Sequence, residues 1–414
     1  MTNSPLEFLA RKYDNVVIYD AYGNPSIFVK FPKMKSIDLD SSLPDHTHPA
    51  FIINGVEQDY ILIGKYKAAE LVSGGTLYSL PSMPPKVNAT ADEFLSRMKN
   101  AGIGISGKTM ADSGFLLLLA QKYGWDPKGN TNYGSHHLDA AWSVSSTNYA
   151  VGNRRSYHGW LYECIQAHTS GLAILPDSSP NYWRRVKFIG GIEANPTSRD
   201  VNNPVTKTTL NGSGPLDWYL DGTGISLADI VGNVHENSYG FRTVDLEIQI
   251  LENNNAADPS ADLSVVSSAW KAILPHSSDD GYDLVAPGTA GTLHWNLIND
   301  ILTLDTVEPA IFDNVEHQTA FKDVVANSSN LPFVPCIVRE LGIFPTPGSN
   351  TRGLYRILFK RELRMARTGG SWTNLSNSGL GYIYISFSNE SRVEYIGARP
   401  RAIQSSEDQQ SQTQ

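Results

Sequence analysis

Short runs that alternate between apolar and polar residues occur throughout the chain, whereas segments with a helical period are few. Residues 16–34, VVIYDAYGNPSIFVKFPKM, alternate on both sides of a Tyr-Gly-Asn-Pro turn and therefore predict a β-hairpin. A strand pattern resumes over residues 50–66, AFIINGVEQDYILIGKY, where Asn54 and Gly55 form the strongest short hairpin signal in the chain. Both segments predict short antiparallel strands near the amino terminus.

Two short helices are predicted after these strands. Thr90 and Glu93 form a capping box at the start of the first helix. The second helix runs from about Asp112 to Tyr123 and ends at a glycine. Beyond it few segments are periodic, and 34 glycines and 23 prolines favour short strands joined by ordered loops. The helical share of the fold should therefore be small.

Composition and charge exclude two classes of partner. Apolar residues make up 41% of the 414-residue chain and charged residues only 18%, so a sizeable core is available. The net charge is -9, and the sequence has no Lys/Arg cluster with interleaved aromatic residues, which argues against binding to nucleic acid. The longest apolar run, Phe115 to Ala120, is far shorter than a membrane span, and the amino terminus lacks a signal-peptide core. We therefore expect a protein that is made in the cytoplasm and is not inserted into a membrane.

Apolar and polar residues alternate with a period of two through YIYISFS, residues 382–388, near the carboxyl end. We expect the apolar face of this strand to point inward and the tyrosines and serines to face out. Antibody binding loops favour Tyr and Ser, because Tyr gives rigid contact area and Ser gives adaptable hydrogen bonding. The pattern leaves one alternative open, an ordinary exposed edge strand with a tyrosine ladder. The inward set is Ile383, Ile385 and Phe387, and the outward set is Tyr382, Tyr384, Ser386 and Ser388.

Four stretches carry a resemblance to a known family: THPAFIINGVEQDYILIGKY, GWDPKGNTNYG, GPLDWYLDGTGISLADIVGNVHENSYGFR, and GGSWTNLSNSG with IGARP. With these motifs the chain resembles the variable proteins of diversity-generating retroelements over about residues 47–403. The frame from GGSW to GARP is the most specific part of the resemblance. The resemblance implies an α+β, C-type-lectin-like fold of the formylglycine-generating-enzyme type, which is loop-rich and has few short helices.

The resemblance also implies how the chain is divided. Residues 1–46 are expected to form an amino-terminal β segment and linker that attaches the protein to a carrier. Residues 47–403 are expected to form the variable domain, with a small β insert at residues 155–190. The tail, residues 404–414, contains no apolar residue and is expected to be disordered.

In such variable proteins a fixed frame displays side chains that change freely. Here Trp372 is the expected anchor of the frame, with Ile383 and Ile385 buried beneath the display face. Phe387 is left out of the face, because its strand phase points inward, and Tyr382 is added from its phase alone. The expected receptor-binding positions are Ser371, Thr373, Tyr382, Tyr384, Ser386, Val393, Glu394 and Tyr395.

The function that the resemblance implies is ligand display by a phage tail-fibre adhesin, which binds a bacterial surface protein or glycan. Such a protein belongs to the virion, contacts other phage tail proteins and, by analogy with fibre proteins, forms a homotrimer. One alternative is a structural tail component without receptor contact, and another is a formylglycine-generating-type oxidase. The oxidase is disfavoured because that branch uses two cysteines close in sequence, whereas Cys336 and Cys164 lie far apart. We therefore expect no catalytic residues.

Residues 159–186, GWLYECIQAHTSGLAILPDSSPNYWRRV, look similar to small aromatic modules of chitin-binding domains and phage tail fibres. Aromatic faces suit the apolar faces of sugar rings, so these side chains could form a flat stacking surface for a glycan. The alternative, which we favour, is that the rings form the core of the insert, because roughly 40 residues can bury little else. The four rings are Trp160, Tyr162, Tyr182 and Trp183.

Two places in the sequence carry residues of the types that bind metals, and no other cofactor is expected. The motif GNVHENSYG departs from relatives, because His235-Glu236-Asn237 stands where they carry Trp-Glu-Trp. In enzyme relatives the Asn and Glu of this motif hold a structural calcium, which makes Asn233 and Glu236 candidate ligands. His46 and His48 share one face of an extended segment, but the resemblance favours a structural role for them at the entry to a strand.

Overall fold

The computed structural model describes residues 15–102, 104–194 and 207–403 of the chain, so residues 1–14 and the predicted tail 404–414 lie outside the described residues. Within the described ranges the fold is mostly β and loop-rich, and its α-helices are short, which confirms the coarse prediction. None of these helices has the length and apolar character that spanning a bilayer requires. The α-helices are α1 (Ser36–Leu39), α2 (Ala91–Lys99), α3 (Met110–Tyr123) and α4 (Cys336–Glu340), and single 3₁₀ turns occupy Pro49–Phe51, Leu216–Trp218, Asn255–Ala257, Phe321–Asp323 and Leu375–Asn377.

Both predicted helices form where the capping signals place them. Thr90 and Glu93 make the predicted capping box at the start of α2. A second capping box, between Thr109 and Asp112, starts α3, and Gly124 ends it with φ at 68°. Local backbone chemistry therefore sets the ends of both helices.

The strands are short, and most of them have five residues or fewer. Those before residue 200 are β1 (Asn15–Tyr19), β2 (Pro25–Pro32), β3 (Ile52–Ile53), β4 (Val56–Glu57), β5 (Tyr60–Gly64), β6 (Ala68–Glu70), β7 (Leu77–Ser79), β8 (Ile105–Gly107), β9 (Asn148–Tyr149), β10 (Arg154–Tyr157), β11 (Trp160–Cys164), β12 (His168–Thr169) and β13 (Trp183–Phe188). Those after it are β14 (His235–Val244), β15 (Glu247–Ile250), β16 (Lys271–Pro275), β17 (Tyr282–Val285), β18 (His294–Ile298), β19 (Ile301–Asp305), β20 (Glu316–Ala320), β21 (Val325–Ala326), β22 (Leu354–Leu358), β23 (Leu363–Thr368), β24 (Ile383–Ile385), β25 (Ile396–Gly397) and β26 (Pro400–Ala402).

The amino-terminal hairpin forms one side of a five-stranded sheet with the order β1-β2-β5-β26-β8. β1 and β2 are antiparallel, with Val16 opposite Phe28, which confirms the predicted hairpin. β2 then pairs with β5, with Phe28 opposite Gly64. The sheet therefore pairs strands from both sides of the expected boundary between residues 46 and 47, and the division into domains stays a prediction. Attachment of this segment to a carrier stays a prediction.

A twelve-stranded sheet contains the strand of the YIYISFS run, and its main path is β20-β22-β24-β23-β14-β15-β18-β19-β21. β24 pairs in parallel with β22 on one side and antiparallel with β23 on the other. Tyr384 therefore lies opposite Arg356 on β22 and opposite Arg367 on β23. The alternative of an exposed edge strand is wrong, because β24 is hydrogen-bonded along both edges.

The main hydrophobic core packs around α3, which is buried on nearly all sides. The ring of Phe115 meets Phe31 and Phe51 edge to face, with centroids 5.7 and 5.0 Å apart. Ile383 and Ile385 of β24 belong to the same core. The strand of the predicted display face is thus fixed to the centre of the body.

Three cationic side chains bind one buried carboxylate, Glu236 on β14. Lys67 Nζ lies 2.7 Å from Glu236 Oε1, and Lys108 Nζ lies 2.6 Å from Oε2. Arg399 donates to Oε1 through Nε and Nη2, at 3.0 and 2.7 Å. Burial alone would raise the pKa of Glu236, but Arg399, Lys108 and Lys67 hold it well below its usual range. The cluster joins β14 to residues that adjoin β6, β8 and β26.

His46 and His48 contact α4. His46 Nε2 contacts the carboxylate of the buried Glu340, and Nε2 of the buried His48 lies 3.0 Å from the Glu340 carbonyl oxygen. The hydrogen bond to Glu340 raises the pKa of His46 above its ordinary value of 6.5. Because the folded-state pKa is the higher one, the stabilisation is complete below about pH 6.5 and is lost as the pH rises through the folded-state value.

We therefore expect the His46→Gln substitution to lower the melting temperature more at about pH 5.5 than at about pH 8.5. Burial lowers the pKa of His48 to about 4, so His48 is neutral at both pH values and does not contribute to the difference. Circular dichroism melts of the two proteins at both pH values measure the effect. An equal shift at the two pH values would show that the charged form of His46 adds no stability.

Candidate functional sites

The frame around β24 is built from buried anchors and tight glycine turns. Trp372, Ile383 and Ile385 are buried, as predicted. Gly369 and Gly370 adopt φ values of 85° and 79°, and a Cβ on Gly370 would lie 2.5 Å from Ser378 Oγ. The turn before Trp372 therefore depends on glycine for both its backbone conformation and its packing.

Two predicted contact residues, Tyr382 and Ser371, are buried, contrary to the expectation. Tyr382 is 0% exposed, and its ring stacks on His235 with centroids 5.1 Å apart. The phase argument fails for Tyr382 because β24 begins at Ile383, so the alternation does not extend to the residue before it. Ser371 is also buried, and its hydroxyl donates to Asn374 Oδ1 at 2.8 Å inside the turn. Neither side chain is available to a receptor without rearrangement.

An aromatic cluster lies among the remaining positions. Tyr384 and Tyr395 are half-buried, whereas substantial exposure was expected, and both contact the buried His235, with centroids 5.6 and 5.8 Å away. Phe387, which the phase argument left out, is also half-buried and connects them at 5.0 and 6.1 Å. The Arg356 guanidinium lies 4.8 Å from the Tyr384 ring centroid. We name the following set the carboxyl-terminal face: Thr373, Tyr384, Ser386, Phe387, Val393, Glu394 and Tyr395.

The other members of the carboxyl-terminal face differ in their exposure. Thr373 and Glu394 are exposed, and Ser386 and Val393 are half-buried. Lys207 forms an ion pair with Glu394 at 3.0 Å, and its Nζ lies 5.6 Å from the Trp372 ring centroid. Lys207 therefore borders the face, which the sequence did not indicate.

The calcium site that the resemblance allowed does not match the geometry. Both Glu236 oxygens contact cationic side chains, as described above, so the carboxylate already has its counter-charges. Asn233 instead bonds the backbone of Thr209, accepting from its N–H at 2.9 Å and donating to its carbonyl at 2.9 Å. Over residues 15–102, 104–194 and 207–403, no group of three or more His, Cys, Asp or Glu side chains could hold a metal ion.

The two cysteines lack the properties of a catalytic thiol. Burial raises the pKa of the Cys336 thiol to about 12, and Glu340 and Asp280 add to the shift. Burial likewise raises the pKa of the Cys164 thiol. A thiol with a raised pKa stays protonated at neutral pH and is a poor nucleophile. Neither thiol is therefore ionised as a nucleophilic cysteine needs to be.

The aromatic insert is a small β unit with its own core. β10, β11 and β13 form a three-stranded antiparallel sheet, and β9 pairs with β12 beside it. The core begins before the expected boundary at residue 155, because Trp142 and Tyr149 belong to it. The buried core residues are Trp142, Tyr149, Tyr157, Tyr162, Cys164 and Trp183.

The four predicted stacking rings do not form one platform. Tyr162 and Trp183 are each 2% exposed, so the favoured alternative, a core role, holds for these two. Trp160 and Tyr182 are half-buried and lie at opposite ends of the β11–β13 pair, since Trp160 pairs with Phe188 and Cys164 pairs with Trp183. The length of β11 separates them by about 13 Å, at about 3.3 Å per residue.

The two half-buried rings also have different surroundings. Trp160 meets Phe188 edge to face at 5.2 Å, and the Arg185 guanidinium lies 4.7 Å from the Trp160 ring centroid. Tyr182 meets the His168 ring edge to face at 5.1 Å. A flat surface for several sugar rings is therefore absent from this pair of strands as the structure describes them.

Comparison with known proteins finds a similarity within this unit. Residues 141–184 match carbohydrate-binding module family 5/12. No curated protein matches the chain. The matched segment starts beside Trp142 and ends just after Trp183, so it coincides with the observed aromatic core. This part of the chain is therefore similar to sugar-binding modules, which indicates a binding role.

Proposed function

We propose that the chain is an adhesin that binds glycan through its aromatic unit and a bacterial surface receptor through its carboxyl-terminal face. The match of residues 141–184 to a carbohydrate-binding family carries the proposal, because the matched segment has an aromatic core of its own. The buried, protonated thiol of Cys336 supports binding rather than catalysis.

The construction of the carboxyl-terminal face supports a receptor site there. Its half-exposed rings, Tyr384, Phe387 and Tyr395, touch one another and rest on a buried layer. Aromatic side chains of this kind dominate the energy of many protein interfaces. With the GGSW and IGARP motifs, this supports our proposal that residues 47–403 adopt the C-type-lectin-like fold of retroelement variable proteins.

We further propose that the protein acts at the tip of a phage tail fibre and belongs to the virion. Other tail proteins would hold it there, and a homotrimer would present three faces to one bacterial surface. Several linked weak sites bind far more tightly than a single one, because each later contact forms within the complex. The resemblance to retroelement variable proteins supports this placement.

Replacing both Tyr384 and Tyr395 by alanine should weaken adsorption to host bacteria by a factor of at least about 30, equivalent to about 2 kcal/mol. The physical reason is the loss of two ring surfaces at the centre of the face. Adsorption of labelled protein to cells, before and after periodate oxidation of their surface glycans, measures the effect and separates glycan from protein receptors.

The matched control is the Tyr19→Ala/Tyr22→Ala double substitution, which removes two rings that are 59% and 91% exposed at the amino-terminal hairpin. It should adsorb like the wild-type protein. A thermal melt of each protein confirms that it is folded. If the Tyr384→Ala/Tyr395→Ala protein is folded and adsorbs normally, the carboxyl-terminal face is not the receptor site.

A further inference from the structure

A pocket of about 350 Å³ lies where the aromatic unit meets the rest of the chain. Asn132 and Tyr133, in the loop that precedes the unit, form one wall. Residues 141–145 and 156–158 of the unit form the others. Ligand sites commonly measure about 300–1,000 Å³, so this pocket has room for one sugar ring or a little more.

The chemistry of the lining suits a neutral sugar. Rings of Tyr133, Trp142 and Tyr157 supply apolar surface, and the Trp142 and Tyr157 centroids are 5.2 Å apart. Ser143, Ser145 and Ser156 supply hydroxyl groups that donate and accept. Among the described residues, the lining contains no Lys, Arg, Asp or Glu, and its one histidine, His158, already has Asp177 as a partner at 3.1 Å.

The indole of Trp142 is a second, independent observation at the pocket. Trp142 is only 4% exposed, and its Nε1–H has no hydrogen-bond partner among the residues described. A buried donor without a partner is unfavourable, and most such groups in native proteins are paired. A sugar oxygen could accept from this nitrogen only after a shift of the side chains around it, because the nitrogen has almost no accessible surface of its own.

Backbone strain marks two walls of the same pocket. Tyr133 and His158 both line it, and both adopt φ of 45° although neither is glycine. Strained residues of this kind concentrate at binding sites, where the surrounding structure holds them in place. Tyr133 is held by Trp372, because its backbone N–H donates to the Trp372 carbonyl at 3.1 Å and the two rings lie 4.9 Å apart.

We propose that this pocket binds one neutral pyranose unit of a glycan, with its ring against Tyr133. The inference rests on the proposed glycan-binding function and specifies where the sugar lies and what charge it carries. Since Tyr133 also contacts Trp372, the sugar site shares a wall with the frame of the carboxyl-terminal face.

Two substitutions in the full-length protein test the pocket. Tyr133→Ala removes the ring of one wall and should weaken binding at least tenfold. Ser145→Arg places a long side chain at an exposed position of the lip and should abolish binding, while the hydrogen bonds of Ser145 to Ser143 and Thr147 use only its backbone. Tyr22→Ala removes a ring that is 91% exposed on the amino-terminal hairpin, outside the pocket lining, and is the control, expected to bind normally.

Calorimetry with chitotriose and cellotriose as neutral probes and sialyllactose as an acidic probe measures the binding. We expect the wild-type protein to prefer a neutral probe. Tighter binding of sialyllactose, or normal binding by the folded Ser145→Arg protein, would overturn the pocket proposal while glycan binding itself stood. Binding to none of the probes would also overturn it, and the proposed function would fail as well only if adsorption to bacteria were absent.

Discussion

Glu236→Gln should lower the free energy of unfolding by about 3–5 kcal/mol, because it removes the buried carboxylate that three cations share. Lys67, Lys108 and Arg399 would then lie together in the interior without a counter-charge from this position. Burial already lowers the pKa of Lys67 to about 8, even with Glu236 present to raise it. Urea denaturation at neutral pH, followed by tryptophan fluorescence, measures the loss.

The pH dependence of this loss identifies its cause. Without Glu236 the buried lysines of the folded protein release their protons more easily. The unfolded chain then binds more protons than the folded protein does, so the stability of the variant rises with pH. The deficit relative to the wild-type protein should therefore shrink between about pH 7 and pH 9. Asp217→Asn, in an exposed ion pair with Lys128 at 2.9 Å, is the control and should cost less than about 1 kcal/mol. If Glu236→Gln also costs less than about 1 kcal/mol, water must reach the cluster and screen its charges.

Trp183→Ala should unfold the aromatic unit, since the ring is 2% exposed and removing a buried Trp costs about 3–5 kcal/mol. A unit of this size has little other apolar surface to compensate. The Trp183 ring contacts Tyr149 and His168, with both centroids 5.1 Å away, so its loss opens the centre of the core. Limited proteolysis followed by mass spectrometry should find new cleavage sites between residues 141 and 188.

Trp160→Ala is the control for this unfolding, because the Trp160 ring is half-buried at one end of β11. It should leave the unit resistant to the protease. If Trp183→Ala also stays resistant yet no longer binds glycan, Trp183 contacts the sugar directly and its burial does not persist in solution. Retention of both resistance and binding would show that the core tolerates the cavity.

Local signals in the sequence were sufficient to predict α2, α3 and the first hairpin. Thr90, Glu93 and Gly124 act on the residues beside them, so their effect does not depend on the rest of the fold. The burial of Ile383 and Ile385 also followed from alternation, because both lie within β24. These predictions succeeded where the cause lies within a few residues of its effect.

The exposed residues of the predicted display face were assigned less accurately, because their exposure depends on contacts between distant segments. Tyr382 is buried by His235, a residue nearly 150 positions earlier, and no local pattern links the two. Phe387 lies just beyond a three-residue strand, where a period of two no longer fixes direction. The sequence offered one signal, His235 in the GNVHENSYG motif, but it did not indicate which aromatic rings would pack against that residue.

Composition alone could not assign a role to the aromatic residues of the unit. Its Tyr and Trp residues suit a sugar surface and a small core equally well, so residue type alone could not assign them. The pairing of Cys164 with Trp183 decides the matter, because it directs Trp183 into the interior. Trp142 was not predicted to belong to the core, because it lies before the aromatic motif at residues 159–186.

The position of β26 in the five-stranded sheet has a consequence for synthesis on the ribosome. β26 lies between β5 and β8, although it is made long after both of them. The roughly 300 residues from β8 to β26 take on the order of 15 to 60 s to translate at about 5–20 residues per second. Until then β5 and β8 each have an open edge, which is a template for pairing with other chains. A nascent chain of this protein should therefore depend on chaperones that cover these edges until residue 402 emerges.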